Sequence, residues 1–370
     1  MSVLFFDHDS QFTRYFSRFW TVFSCRDGVF SPIERARRQF PNDDFFYFHK
    51  NKEYEILAAE MIGAIPFQST SLDEVAQSHI ERQGKKLLYH FDHVVESTDF
   101  TPNKILGNLS NQISEDIKML VAESNYLSFD KMQDGVSIIG DSSKLVLHKD
   151  AKVFPGTIFD VRNGPIVIGP GSEIGQFSFL CGPVSVGSNT HVDNCRIIGP
   201  ASIGNNCRVG GEIESCIFGD YSNKHHEGFL GHSFVGRWVN IGALATTSDL
   251  KNNYGEVRLT LPSQFLSATS CTGVESVSTE TIKFGSIISD CAKVAIGMKL
   301  NTGTVIDAGC NVFGNSVPKY VYPFSWGDDG DVYELNRFHE DCQKIFIRRK
   351  QHVTSAFHKI TKYVWTNVHK

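Results

Sequence analysis

Apolar residues in the middle of this chain recur every six positions. One run is Leu147, Val153 and Phe159, and another is Ile168, Ile174, Leu180, Val186 and Val192. The register slips by one to Ile197, Ile203 and Val209, and Phe229, Val235 and Ile241 follow. The longest run is Ile282, Ile288, Val294, Leu300, Ile306 and Val312. A six-residue period fits neither a helix at 3.6 residues per turn nor simple strand alternation. It fits a coil of short strands joined by tight turns, each six-residue side directing one aliphatic side chain inward. Successive turns then pair about 4.8 Å apart. Glycine often follows the repeat position, as at Gly169, Gly175, Gly187, Gly204 and Gly242, where a corner needs conformations other residues resist. The expected fold is mainly β, a parallel β-helix of hexapeptide repeats. Residues 210–228 and 243–281 depart from the period, and excursions from a rigid scaffold are common sites of function.

Glycine also divides the chain. Four of the 31 precede residue 131, two follow residue 320, and 25 lie between. The expected organisation is an N-terminal α/β cap domain over 1–130, a β-helix over 131–327 and a C-terminal helical extension over 328–370. In the cap, Met1–Asp7 reads as a buried strand, Phe is dense over the first 48 residues, and Leu72–Val95 and Lys104–Glu123 carry helical spacing. Asp331–Lys370 reads as one helix with a basic end, packed along the coil.

The chain has 370 residues, 41% hydrophobic and 21% charged, with a formal net charge of −5. That balance is ordinary for a globular protein and argues against a dedicated nucleic-acid binder. No apolar run approaches the ~18 residues of a spanning helix. The N-terminus lacks the basic and apolar regions of a secretory signal, so a cytoplasmic location is expected. The nine cysteines show no metal-binding spacing and are expected to be free thiols in a reducing compartment.

The stretch Ser222-Asn223-Lys224-His225-His226-Glu227-Gly228-Phe229-Leu230-Gly231-His232-Ser233 continues through Gly236–Ala243 to Thr247–Tyr254. Together with Phe159–Pro165, Asn301–Val305 and Pro323–Gly327, it resembles the hexapeptide-repeat acyltransferases. The resemblance is to the group similar to bifunctional N-acetylglucosamine-1-phosphate uridyltransferase/glucosamine-1-phosphate acetyltransferase. It implies a left-handed β-helix, a homotrimer, acetyl-CoA as acyl donor and a sugar phosphate or sugar nucleotide as acceptor. Arg26-Asp27-Gly28, with Ser31, Glu34 and Arg35, looks like a short element of that group's nucleotidyltransferase region. The Gly-rich phosphate loop of that region is missing here, the first glycine being Gly28. Residues 1–130 therefore read as a reduced version, and Mg²⁺ would enter only if nucleotidyl transfer survives.

Acyl transfer to an amine needs a base, an oxyanion donor and a slot for the pantetheine arm. The resemblance implies His226 as the base, with His225 and His232 as rival positions; imidazole suits the role because it titrates near neutrality. It implies Lys224, Phe229 and Asn240 as acceptor-binding residues, and Ala243, Asn253 and Tyr254 beside the coenzyme. Two departures stand out. Phe229 replaces a tyrosine, and Leu244 replaces a glycine of the group's Gly-Ala-Gly-Thr stretch. The alternatives are a surviving sugar-1-phosphate nucleotidyltransferase and a non-catalytic β-helix scaffold.

Overall fold

The computed structural model describes residues 2–7, 19–49, 51–67, 93–96, 102–121, 125–128, 134–262, 265–267, 270–271, 273–328 and 330–369. Most of the middle region is a three-faced parallel coil. The turn that matters below places Ile217–Phe218 on the first face, Asn223–Lys224 on the second and Phe229–Gly231 on the third. The first face is a ten-stranded sheet, parallel except for Tyr126–Ser128 at its end. The second and third faces merge into one 14-stranded sheet. They merge because His191–Ile198 and Arg208–Glu214 run unbroken through a corner.

The periodic residues fill the interior as expected. Ile174, Leu180, Val186, Val192, Ile203, Val209, Ile288, Val294 and Ile306 belong to one buried cluster inside the coil. Two details differ from the sequence reading. Residues 210–228 do not leave the coil: Asn223–Lys224 pairs with Arg208–Val209, and Phe229–Gly231 with Glu212–Glu214. The inward residue on that side is Leu230, and Phe229 is half-buried on the outer surface. Ile282 is likewise not in the column but exposed. The excursion expected over 243–281 begins later, because Thr246–Thr247 still pairs with Lys299–Leu300 in the coil, and Arg258–Pro262 pairs antiparallel with Val274–Ser278 within it.

The first face is apolar on both sides. Leu145 and Leu147 point into the coil, whereas Val146, Val167, Ile217 and Ile287 join a second core outside it. That outer core is built with the N-terminal region and the C-terminal helices. Strands β1 (Ser2–Asp7), β2 (Asp44–His49), β3 (Ile65–Pro66) and β4 (His93–Glu96) form a parallel sheet in the order β3-β2-β1-β4. The helix expected over 72–95 lies outside the described residues except for its end, and His93–Val95 is strand. Helix α1 (Pro32–Gln39) starts with Pro at its first turn and a reciprocal Ser31–Glu34 capping box. Helix α2 spans Lys52–Ile62, and α3 (Pro102–Val121) matches the second expected helix. Phe19, Phe23, Phe30, Leu109 and Ile113 all enter the outer core.

The C-terminal segment is a helical hairpin rather than one helix: α4 (Leu335–Arg348) and α5 (Ser355–Val368). The break has local causes. Lys350 adopts a left-handed φ of 57°, and the Thr354 side chain accepts from Phe357 N to restart the helix. Phe338, Cys342, Phe346, Phe357 and Ile360 bury one side of the hairpin in the outer core.

His339 in α4 meets His358 of α5 ring to ring at 4.3 Å and shares a 2.7 Å hydrogen bond with Thr361 Oγ1. Burial, with a smaller push from His358, lowers the His339 imidazole from 6.5 to about 4. The folded state therefore resists a proton that the unfolded chain accepts below about pH 6.5. This stabilising contribution is present above pH 6.5 and lost as pH falls toward 4. Urea midpoints measured from pH 7.5 to 4 should fall on the acid side, and His339→Gln should flatten that limb. An unchanged acid limb in the variant would assign the pH dependence to other groups.

Candidate functional site

His226 lies at the corner between the second and third faces of its turn, exposed to solvent. Among the described residues its ring has no hydrogen-bond partner, and it sits 5.2 Å from the ring of His225. His225 is held differently, with Nε2 2.8 Å from Asp193 Oδ2, 32 residues back on an earlier turn. The next turn stacks directly on this corner. Leu244 N donates to Glu227 O at 2.7 Å, and Ala243 O accepts from Gly297 N at 2.8 Å on the turn beyond. His226 and Ala243 are therefore brought together at one corner.

Leu244 shares that corner, 66% exposed and at a left-handed φ of 63°. A Cβ in that region costs about 1–2 kcal/mol, and Leu has no local hydrogen bond to offset it. Glycine would remove the strain but lose about 0.5–1 kcal/mol more entropy on folding. Leu244→Gly should thus raise stability by up to about 1 kcal/mol in urea unfolding. A loss of stability would show that the leucine side chain makes contacts that outweigh the strain.

Lys224 is not placed to meet a substrate phosphate. It is 1% exposed, and it occupies the inward column beside Val209. Its Nζ donates to Gly210 O and His226 O, both at 2.9 Å. Six residues separate Phe218 from Lys224 and six separate Lys224 from Leu230, so the period that turns aliphatic residues inward also turns this lysine inward. Asn240 is exposed on the second face, where its Oδ1 accepts from Asn223 Nδ2 at 2.9 Å. The two asparagines form a ladder across neighbouring turns. Asn253 caps its own turn, accepting from Gly255 N at 3.0 Å. Tyr254 is 69% exposed at a φ of 53°, so it presents its ring to solvent rather than packing the loop.

Phe229 opens the third face, and its ring reaches along the outside toward the far end at Gly231. A Cβ built on Gly231 would lie 2.4 Å from the Phe229 ring and 2.7 Å from Asp249 Oδ2, so the ring and the carboxylate both close over that glycine. There His232 Nδ1 lies 2.7 Å from Asp249 Oδ2. The hydrogen bond from His232, which outweighs the effect of burial, holds the Asp249 carboxyl below its ordinary range. Lys283 pairs with Glu214 beside them at 3.1 Å. Sequence reasoning missed Asp193 and Asp249. For Asp249 a signal existed: it follows His232 by 17 residues, one turn of coil, as Asn240 follows Asn223. Asp193 is two turns away, at a register shift between Asp193 and Cys195, and had no such signal.

The remaining elements narrow the chemistry. Burial pushes the Cys195, Cys207 and Cys216 thiols up to about 12, so none supplies a thiolate at neutral pH. Cys25, Cys181, Cys195, Cys207, Cys216, Cys291, Cys310 and Cys342 are free, and all of these but Cys25 are buried. Among the described residues no His, Cys, Asp and Glu group could hold a metal ion, and no helix is long and apolar enough to cross a membrane. The Arg26-Asp27-Gly28 element is absorbed by packing. Arg26 pairs with Asp220 of the coil, Gly28 O accepts from Ser202 Oγ, and Arg35 binds Asp116 and Asp27.

No protein-family model matches the chain. Curated relatives do. The bifunctional protein GlmU of Geobacillus sp. is 25% identical over 239 residues, covering 56% of this chain and 52% of that one. The GlmU of Carboxydothermus hydrogenoformans is 30% identical over 152 residues, covering 34% and 33%. The GlmU of Exiguobacterium sp. is 28% identical over 148 residues, covering 34% and 33%. The chain thus spans at most about half the length of the curated relatives it matches. Among solved structures, the acetyltransferase domain of PglB from Neisseria gonorrhoeae FA1090, in complex with acetyl coenzyme A, matches 81% of this chain and 95% of that one. That match has 13% identity and a TM-score of 0.20. The resemblance drawn from residues 222–254 to the GlmU-like group is borne out by the curated relatives.

Proposed function

We propose that this protein transfers an acyl group, acetyl from acetyl-CoA in the first instance, to the amine of an amino sugar phosphate or nucleotide-linked amino sugar. The observation that carries the reading is the His225–His226 corner. It holds a solvent-facing imidazole with no internal partner beside one anchored by a carboxylate, directly under the Ala243–Leu244 corner. Similarity to the GlmU proteins supports the same reading.

In this reading the His226 imidazole takes a proton from the acceptor amine as its nitrogen attacks the thioester carbonyl. The new C–N bond forms, the C–S bond breaks, and the coenzyme leaves as a thiolate that takes up a proton. High thiol proton affinity in the coil favours this direct transfer over an acyl-cysteine step. Asn240, exposed on the second face, hydrogen-bonds the sugar, Phe229 supplies an apolar edge, and Ala243, Asn253 and Tyr254 flank the coenzyme. Phe177 and Ile296, exposed along the same corner, favour coverage by a second copy, in keeping with a homotrimer.

The test is a mass-spectrometric transfer assay with acetyl-CoA and a panel of amino sugars, their 1-phosphates and their nucleotide-linked forms. One product heavier by an acetyl group, formed by the folded protein, is the expected result. Absence of any product across this panel and across longer acyl-CoA donors would overturn the reading.

A further inference from the structure

Lys224 stands where the coil asks for an aliphatic residue. We propose that it is a positioning residue for His226: from inside the coil, its ammonium fixes the backbone of the corner that presents the imidazole. The assignment rests on His226 being the base of the transfer proposed above.

Packing alone does not account for a lysine at this position. Val209 and Ile241 fill the equivalent places on the turns below and above, and an aliphatic side chain would continue their column at no electrostatic cost. A buried ammonium is costly unless it is hydrogen-bonded. Among the described residues no carboxylate pairs with Lys224. Its partners are two backbone carbonyls, Gly210 O and His226 O, each at 2.9 Å. These carbonyls belong to consecutive turns at the same corner, so one cation ties the His226 peptide to the turn beneath it.

The neighbouring glycines are shaped to the same purpose. A Cβ on Gly210 would lie 2.0 Å from His225 O, and one on Gly211 would lie 2.9 Å from both His226 O and Lys224 Nζ. Gly211 also has a φ of 73°. The Gly210–Gly211 pair therefore leaves room for the His225–His226 backbone and the ammonium together. Among the described residues the His226 ring makes no hydrogen bond and its ring contact is with His225, so the internal clamp on the backbone governs where the ring emerges. A base displaced by about 1 Å can lose up to ~100-fold in rate.

Two full-length variants test this, Lys224→Met, which keeps the volume and removes the donor, and Gly211→Ala, which crowds the clamp. Each is compared with the wild type below its melting temperature. The readouts are transfer kinetics and the ¹H–¹³C signals of the histidine rings, the His226 signal being identified by its loss in His226→Ala. The expected result is a fall in kcat of about ten-fold or more, an acetyl-CoA KM changed by less than about two-fold, and a displaced His226 signal. The signals of His191, His339 and His358 should stay in place. If Lys224→Met fails to fold, Gly211→Ala carries the same expectation. A folded variant with wild-type kcat and an unmoved His226 signal overturns the assignment. If the wild type transfers no acyl group, the functional reading fails, while the ring signals still decide whether Lys224 holds the corner.

Discussion

His226→Ala should lower acyl-transfer turnover by about 10²–10⁴-fold, the usual contribution of a positioned general base, while leaving the fold intact. His226 is exposed and makes no side-chain hydrogen bond among the described residues. Removing its ring opens no cavity and orphans no partner. Exposed substitutions of this kind usually change stability by within about 0.5 kcal/mol. The clamp on this corner uses the His226 carbonyl, not its ring, so alanine preserves it. Turnover and urea unfolding measured on the same preparation separate catalysis from folding. Retained turnover would remove His226 from the base role. His232 would then be the next candidate, because its Nδ1 is held by Asp249 at 2.7 Å and its other ring nitrogen remains to accept a proton.

Arg26→Met should cost about 3–5 kcal/mol, the range for breaking a buried charge pair by removing one partner. Arg26 is 5% exposed, and its Nε and Nη2 reach Asp220 Oδ1 at 3.3 and 3.2 Å. Glu34 lies 3.5 Å away. Burial pushes the Asp220 carboxyl up, but Arg26 and Arg237 outweigh it and hold the group below its ordinary range. Without Arg26 only Arg237, at 3.1 Å, offsets that buried charge. The loss would concentrate where the N-terminal region meets the coil, so amide exchange should accelerate over 19–49 before it does so inside the coil. Arg26→Met combined with Asp220→Asn should recover part of the stability, since the orphaned charge is removed as well. A cost below about 1 kcal/mol, as for an exposed pair, would mean that the region docks through its apolar core alone.

Much of this protein is legible from spacing. A six-residue period admits few backbone solutions, because one side chain in six must enter a narrow interior and the turns must pair with one another. The coil, an excursion within 243–281 and helix α3 follow from such local rules, whereas His226 is singled out by the resemblance rather than by spacing. Spacing could not show that the period persists through 210–228. Its inward position there is a lysine, which reads as an exposed residue until its partners are known. Nor could it show that Arg26 belongs to packing, since Asp220 lies 194 residues away.

What the sequence by itself determined is the repeating backbone, because short-range sterics and the burial of one aliphatic column act within a few residues. The tertiary structure alone decided which side chains meet. Asp193 reaches His225 across two turns, Asp249 reaches His232 across one, and Lys224 finds its carbonyl partners inside the coil. Hydrogen bonds and ion pairs act only over a few ångströms. Residues distant in sequence come within that range only after the coil has stacked its turns.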